Sequence, residues 1–173
     1  MTLRRFALFL ALLVTTPVLA GERPVPPGPG QLAQAIAGAA PGAVLVLTGG
    51  AYPGPVTIDR PLTIAGPQGA VVDGLGQGTV ITVAAPDVTL RGFSVTGSGS
   101  VNQNLDAGIK ILKGADRAVI QDTHLSGNMH GIDVHGGRDA HVIGNDIIGR
   151  QNDRMNERGN GIYVWNSPGT VVE

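Results

Sequence analysis

The sequence contains no cysteine among its 173 residues, so neither a disulfide nor a thiolate metal ligand can stabilise it. Its 12 basic and 13 acidic residues nearly balance, which argues against a nucleic-acid partner. No phosphate-binding glycine loop and no serine nucleophile elbow is present, so neither a nucleotide site nor a serine-hydrolase site is expected. Any metal would have to bind through histidine, methionine or carboxylate.

The N-terminal residues have the pattern of a secretion signal. Arg4 and Arg5 precede an apolar stretch from Phe6 to Val14, and small residues follow up to Ala20. The apolar stretch is shorter than the roughly 20 residues that span a bilayer. We therefore expect residues 1–20 to be a cleaved signal peptide that exports the chain to the periplasm. An uncleaved N-terminal anchor is the alternative.

Glycine is abundant, with 27 residues, and it occurs among valine, isoleucine, asparagine and aspartate. This mixture is typical of many short strands joined by tight turns. Residues 21–30 are rich in proline and glycine and predict an extended leader that joins no core. Residues 31–39 place Leu32, Ala35 and Ile36 at helical spacing, which predicts a short helix capping the end of a stack.

The second half of the chain repeats one phrase, glycine-isoleucine-variable-aliphatic. Its copies begin at Gly108, Gly131 and Gly161. A second phrase recurs at Ile120 and Val142, after 22 residues. The first phrase returns after 23 residues and then after 30, where the surplus is the polar stretch from Gln151 to Arg158. A period of this length is typical of solenoids. Three short strands in each such turn predict coils that stack in parallel about 4.8 Å apart. We therefore expect an all-β fold, a right-handed parallel β-helix over residues 31–173.

The sequence stops at Glu173, inside one of the recurring strand phrases. Solenoids need a cap at both ends, and the last residues do not resemble one. We therefore expect the sequence to be the N-terminal part of a longer protein.

Strand alternation predicts which side chains face outward when the repeated isoleucines fill the core. The outward residues form two columns: Lys110, Asp133 and Tyr163, and beside them Leu112, His135 and Trp165. We expect His135, Tyr163 and Trp165 to form a partner-binding surface, since exposed aromatic side chains are typical of contact sites. An ordinary cross-strand ladder covered by another part of the chain is the alternative. The same alternation places His124 beside Asp146.

Methionine and histidine converge before the repeated strand. Met129 and His130 directly precede Gly131, and a polar insertion, Gln151 to Arg158, carries Met155 before the next copy. Thioether sulfur selects soft metals, Cu(I) above all, and imidazole also suits copper. The pattern therefore predicts a transient copper site at Met129, His130 and Met155. A chance neighbourhood of loop residues is the alternative.

A glycosidase would need two carboxyl groups about 5 Å apart or about 6.5–9.5 Å apart. Asp153 and Glu157 lie in the insertion and could approach one another, but nothing in the sequence fixes them. Asp133 has Lys110 and Tyr163 as its neighbours, which predicts an exposed ion pair with Lys110 and no acid pair. The sequence therefore favours a protein without a glycosidase site.

Residues 155–169, MNERGNGIYVWNSPG, resemble a family of nitrous oxide reductase maturation proteins. Residues 31–66 look like the opening of many β-helices and are less specific. The family is a group of periplasmic β-helices within the carbohydrate-binding and sugar-hydrolase repeat superfamily. Of the proposed copper ligands, only Met155 lies inside the specific motif.

The resemblance implies a non-enzymatic accessory role. Family members work with a membrane ABC-type transporter (permease and ATPase) and receive copper from a lipid-anchored chaperone. They help to assemble the copper–sulfide centre of nitrous oxide reductase. The rival interpretation is a polysaccharide lyase, glycoside hydrolase or carbohydrate-binding module in which Tyr163 and Trp165 stack on sugar rings. A purely structural β-helix is the third.

Overall fold

The computed structural model describes residues 21–151 and 158–173. In this part of the chain, short strands alternate in a fixed order among three parallel sheets, here called sheets I, II and III. Each coil contributes one strand to sheet I, then one to sheet III, then one to sheet II. The chain is therefore a right-handed parallel β-helix, as the repeat predicted.

The bounds of the strands are as follows. Sheet I consists of β1 (Glu22–Val25), β2 (Ala43–Leu47), β5 (Leu62–Ala65), β8 (Thr89–Arg91), β11 (Val119–Gln121), β14 (His141–Ile143) and β17 (Val171–Val172). Sheet II consists of β4 (Val56–Ile58), β7 (Ile81–Val83), β10 (Ala107–Ile111), β13 (His130–His135) and β16 (Ile162–Trp165). Sheet III consists of β3 (Gly50–Pro53), β6 (Ala70–Asp73), β9 (Ser94–Thr96), β12 (His124–Ser126) and β15 (Asp146–Ile148).

The repeated isoleucines form one file inside the coil. Ile109 pairs in register with Ile132, and Ile132 pairs with Ile162. Ile109 and Ile132 are fully buried, while Ile162, on the edge strand of sheet II, is partly buried. The predicted stacking of the repeated phrase is therefore confirmed.

Coil length varies more than the sequence repeat suggested. Ile120 pairs with Val142, as the repeat predicted, but an early coil, from Leu45 to Ile64, is shorter. The coil from Leu90 to Ile120 is longer. The strands must stay in register because each backbone group pairs with the coils on either side. The turns carry no such constraint, so they absorb the differences in length.

The predicted capping helix is present as α1, from Gln31 to Ala37, with Leu32, Ala35 and Ile36 buried. The leader differs from the expectation. Residues Glu22–Val25 form β1, which pairs in parallel with β2, and Val25 is 2% exposed. Proline lacks only its own N–H, so Pro24 is tolerated in β1, which lies at the edge of sheet I.

Within residues 21–151 and 158–173, no helix is both long enough and apolar enough to cross a membrane.

Candidate functional site

The Met129–His130 corner lies where the chain enters β13. Both residues are buried, with Met129 3% and His130 2% exposed. Met129 lies in the turn before β13, but it is buried there and not exposed. The turn before β13 lies beneath the segment that returns from the insertion, and the carbonyl of Met129 is packed against Gly159. Met155, the third predicted copper ligand, lies outside the described residues.

The imidazole of His130 joins two loops through its two nitrogens. Its Nδ1 accepts the backbone N–H of Asn160 at 3.2 Å, and its Nε2 lies 3.1 Å from Oδ1 of Asn102. Since Nδ1 accepts, the proton of the neutral ring sits on Nε2 and is donated to Asn102. Burial lowers the pKa of His130 below its ordinary value of 6.5, so the neutral ring is favoured.

The two loops that meet at His130 are fixed at their bases. Arg150 donates to the hydroxyl of Ser100 at 2.7 Å and to the carbonyl of Ser98 at 2.9 Å. Arg150 stands just before the insertion, and the two serines stand just before the 3-10 helix Asn102–Asn104. The guanidinium therefore ties the start of the insertion to the loop that contacts His130.

The predicted pair of Lys110 and Asp133 is present, with Nζ 3.2 Å from Oδ2, but it is not exposed. The side chain of Asp133 is 0% exposed and that of Lys110 is 16% exposed. Lys110 also donates to the carbonyls of Asn104 and Leu105 at 2.8 and 3.2 Å. Strand alternation correctly placed both residues on the outer side of sheet II, but the loop over that sheet decides their exposure.

The two predicted columns of outward side chains are in register on β13 and β16. Tyr163 pairs with Asp133, and Trp165 pairs with His135. Trp165 is 57% exposed, whereas the ring of Tyr163 lies against His130 with 6.4 Å between centroids. The three predicted partner-binding residues therefore lie together on the outer side of sheet II. Their role in binding remains a prediction.

The predicted proximity of His124 and Asp146, which lie on sheet III, is also confirmed. His124 Nδ1 lies 2.8 Å from Asp146 Oδ2, on adjacent coils. Within the ranges that the structure describes, no three His, Asp or Glu side chains gather closely enough to hold a metal ion. Asp153 and Glu157, the acids considered for sugar chemistry, lie outside these ranges.

Sequence reasoning missed Asn102 and Asn160 as the partners of His130, and Arg150 as the anchor of the insertion. One signal was present in the sequence, because residues 97–106 form a polar stretch longer than any other turn except the one that carries the insertion. Loops of this kind often carry functional residues. The contact of this stretch with the Met129–His130 corner depends on how neighbouring coils stack, and the sequence does not show this.

The three parallel sheets and the loop-covered outer side of sheet II define a parallel β-helix protein with a polar site on one sheet. Its sequence is similar to that of the probable ABC transporter binding protein NosD of Stutzerimonas stutzeri, with 37% identity over 126 residues, 73% of this chain and 29% of the relative. The protein of the same description in Pseudomonas aeruginosa is 36% identical over 119 residues, 69% of this chain and 28% of the relative. The chain is thus a relative of the NosD proteins, as the resemblance predicted.

The chain spans less than a third of the length of these curated relatives. No protein-family model matches the sequence. Among solved structures, the PL6 family alginate lyase AlyGC has 20% sequence identity and a TM-score of 0.44, covering 84% of this chain and 24% of that chain. A likeness of this degree supports no argument about function.

Proposed function

We propose that this chain acts as a non-enzymatic accessory protein in the maturation of nitrous oxide reductase. The observation that carries the proposal is its similarity to two proteins described as probable ABC transporter binding proteins NosD. In this role the chain is exported to the periplasm by residues 1–20. There it works with a membrane ABC-type transporter, receives Cu(I) from a lipid-anchored chaperone and passes it toward the copper–sulfide centre of the reductase.

The state of His130 supports a role in copper handling. A histidine ligand must be unprotonated, and burial lowers the pKa of His130 and favours the neutral ring. Its Nδ1 lone pair points toward the N–H of Asn160 at 3.2 Å, which is at the long end of the hydrogen-bond range. A copper ion at Nδ1 would replace this hydrogen bond, and the thioethers of Met129 and Met155 would supply soft donors.

Cu(I) binding to the purified chain tests this proposal. We expect His130→Gln, and the double change of Met129 and Met155 to leucine, each to weaken Cu(I) binding by about tenfold or more, since each removes a ligand. His141→Gln is the matched control, because His141 is an exposed histidine on sheet I. Equal Cu(I) affinity in all four proteins would exclude the Met129–His130 corner as the copper site.

The maturation role is tested separately in cells. In a host that makes nitrous oxide reductase and lacks its own accessory protein, the chain should raise the copper content of the purified reductase. If the longer relatives restore copper loading and this chain does not, then it lacks a part that the function needs.

A carbohydrate-binding module is the second candidate, and one observation favours it. Trp165 is 57% exposed and pairs in register with His135 on the outer side of sheet II. Exposed tryptophan faces are suited to stacking on sugar rings. Binding to a glycan array that disappears in Trp165→Ala would support this candidate, and an array without binding would exclude it.

A further inference from the structure

Asn160 is the only asparagine in the sequence that is followed by glycine. In an Asn-Gly pair, the backbone nitrogen of the glycine can attack the side-chain amide carbon of the asparagine and close a five-membered succinimide ring. Glycine permits this attack because it has no side chain to hinder the approach and because its backbone rotates freely. Every other asparagine of the sequence precedes a residue with a side chain. The sequence therefore singles out Asn160 for this reaction.

The structure leaves both residues of this pair accessible. Asn160 is exposed, and Gly161 lies directly before β16, the edge strand of sheet II. No atom of the residues that the structure describes lies within 4 Å of a Cβ built at Gly161. The described residues therefore leave room beside Gly161 for the ring.

The attacking nitrogen is not engaged in the sheet. The carbonyl of Asn160 accepts the N–H of Gly131 at 2.9 Å. A trans peptide directs its C=O and its N–H to opposite sides, so the N–H of Gly161 points away from β13. Within residues 21–151 and 158–173, this N–H has no acceptor. The nitrogen can therefore attack without first breaking a hydrogen bond to a described residue.

The one Asp-Gly pair of the sequence, Asp73 and Gly74, could close the same ring, but its surroundings oppose this. The N–H of Gly74 donates to the carbonyl of Thr96 at 3.0 Å, and Oδ1 of Asp73 accepts the N–H of Leu75 at 2.8 Å. A Cβ at Gly74 would lie 2.7 Å from the carbonyl oxygen of Gly97. This crowded and hydrogen-bonded pair is the internal contrast to the exposed one.

We propose that Asn160 is a self-modification site, at which the chain converts this asparagine to aspartate and isoaspartate without the help of an enzyme. The nitrogen of Gly161 forms a bond to Cγ of Asn160, and the bond from Cγ to Nδ2 breaks. The amide group leaves as ammonia and takes up the proton that the nitrogen loses. Water then opens the ring at one of its two carbonyl carbons. No atom is oxidised or reduced, and this inference does not depend on the proposed function.

The modification alters the joint between Asn160 and the corner before β13. Asn160 donates its backbone N–H to Nδ1 of His130 at 3.2 Å and accepts the N–H of Gly131. The carbonyl of the next residue, Gly161, accepts the N–H of Ile132 at 3.0 Å. Isoaspartate inserts one more carbon into the backbone between these contacts, so the three hydrogen bonds cannot all stay in place. We therefore expect isoaspartate to detach this segment from β13.

Peptide mapping by mass spectrometry, during incubation of the purified chain at mildly alkaline pH, tests the proposal. Conversion raises the mass of the peptide that contains Asn160, and labelling by an isoaspartyl methyltransferase identifies isoaspartate. We expect Asn160 to convert before any other asparagine, at a rate similar to that in urea. We expect Asp73 to isomerise at least about tenfold more slowly in the folded chain than in urea, because the fold holds the N–H of Gly74.

Gly161→Ala is the matched variant. Gly161 has no positive φ, and a Cβ there meets no described atom within 4 Å, so we expect this variant to fold as the unchanged protein does. It should convert Asn160 about tenfold or more slowly, because a Cβ hinders the attack of the nitrogen. Amide exchange reports the consequence, since the N–H of Ile132 should exchange faster in aged protein. Asn160→Gln, aged in the same way, should show no such change.

Three results would overturn the inference. The first is an Asn160 that stays intact in the folded chain and converts in urea, since this would show that the fold protects the pair. The second is an equal rate of conversion in the unchanged protein and in Gly161→Ala, since the nitrogen of Gly161 would then not be the attacking group. The third is unchanged exchange at Ile132 in fully converted protein, which would exclude the detachment from β13.

Discussion

His130 accepts the backbone N–H of Asn160 at its Nδ1, 3.2 Å away, and so joins the first residue of β13 to the residues that return from the insertion. The other ring nitrogen lies 3.1 Å from Oδ1 of Asn102. A single neutral imidazole therefore connects two loops of different coils. Protonation of Nδ1 would place a second donor opposite the N–H of Asn160 and break this connection.

The first prediction concerns pH. Burial is the main cause that lowers the pKa of His130 below 6.5, while the charges of Asp133 and Asp106 raise it and that of Lys110 lowers it. In the unfolded chain the histidine therefore binds a proton at a higher pH than in the folded chain. The stability that neutral His130 contributes to the folded chain is therefore fully present above about pH 6.5. It is lost as the pH falls from there through the lowered pKa of His130.

The measurement for the first prediction is the free energy of unfolding by urea at several pH values. We expect His130→Gln to show a smaller loss between pH 6.5 and pH 5 than the unchanged protein does. His141→Gln, which alters an exposed histidine, serves as the control. A pH slope that is unchanged in His130→Gln would assign the loss to other groups.

The second prediction concerns Gly159, where the insertion returns to the coil. Gly159 has a φ of +71°, and a Cβ at this position would collide with the backbone carbonyl of Met129. We expect Gly159→Ala to destabilise the protein by at least about 2 kcal/mol, from the strained backbone and the displaced corner together. Gly149→Ala is the control, because no atom of the residues that the structure describes lies within 4 Å of a Cβ at Gly149. Chemical denaturation that finds the two variants equally stable would contradict this prediction.

The third prediction concerns Asn128, which is 3% exposed next to the Met129–His130 corner. Its Oδ1 accepts the N–H of Ser98 at 3.1 Å, and its Nδ2 donates to the carbonyl of Val95 at 3.0 Å. Asn128→Ala leaves both backbone groups without a partner, so we expect a loss of about 1–3 kcal/mol in the free energy of unfolding. Asn104→Ala, at an exposed position, should change it by much less. Equal unfolding midpoints for these two variants would show that the buried amide contributes nothing.

The fourth prediction concerns the start of the coil. The hydroxyl of Tyr52, 1% exposed, donates to the carbonyl of Val25 at 2.7 Å and accepts the N–H of Thr48 at 2.9 Å. We expect Tyr52→Phe to lower stability by about 1–3 kcal/mol and to speed amide exchange in β1 before other strands. Tyr163→Phe, on the outer side of sheet II, should leave exchange in β1 unchanged. Exchange in β1 that is equally slow in Tyr52→Phe would show that strand pairing alone holds it.

Much of the fold could be predicted because the sequence repeats itself. The spacing of Ile109 and Ile132 predicted the register of sheet II, and from that register the columns of outward side chains followed. The leader was mispredicted because its proline-rich composition shows only that the prolines have no backbone N–H to donate. The composition does not show whether the segment can pair with a neighbouring strand. Pro24 lies within β1, in register with Val46 of β2.

The sequence alone determined the class of fold and the register in which the copies of the repeated phrase stack. It also determined the face on which each side chain of that phrase lies, because successive side chains of a strand point to opposite faces. Only the tertiary structure decided which outward residues are covered. Asp133 became a buried carboxylate, and His130 a bridge to Asn102 and Asn160, because loops from other coils lie over sheet II. These contacts join residues 28 to 30 positions apart, and the length and path of the loops are not encoded in the strand period.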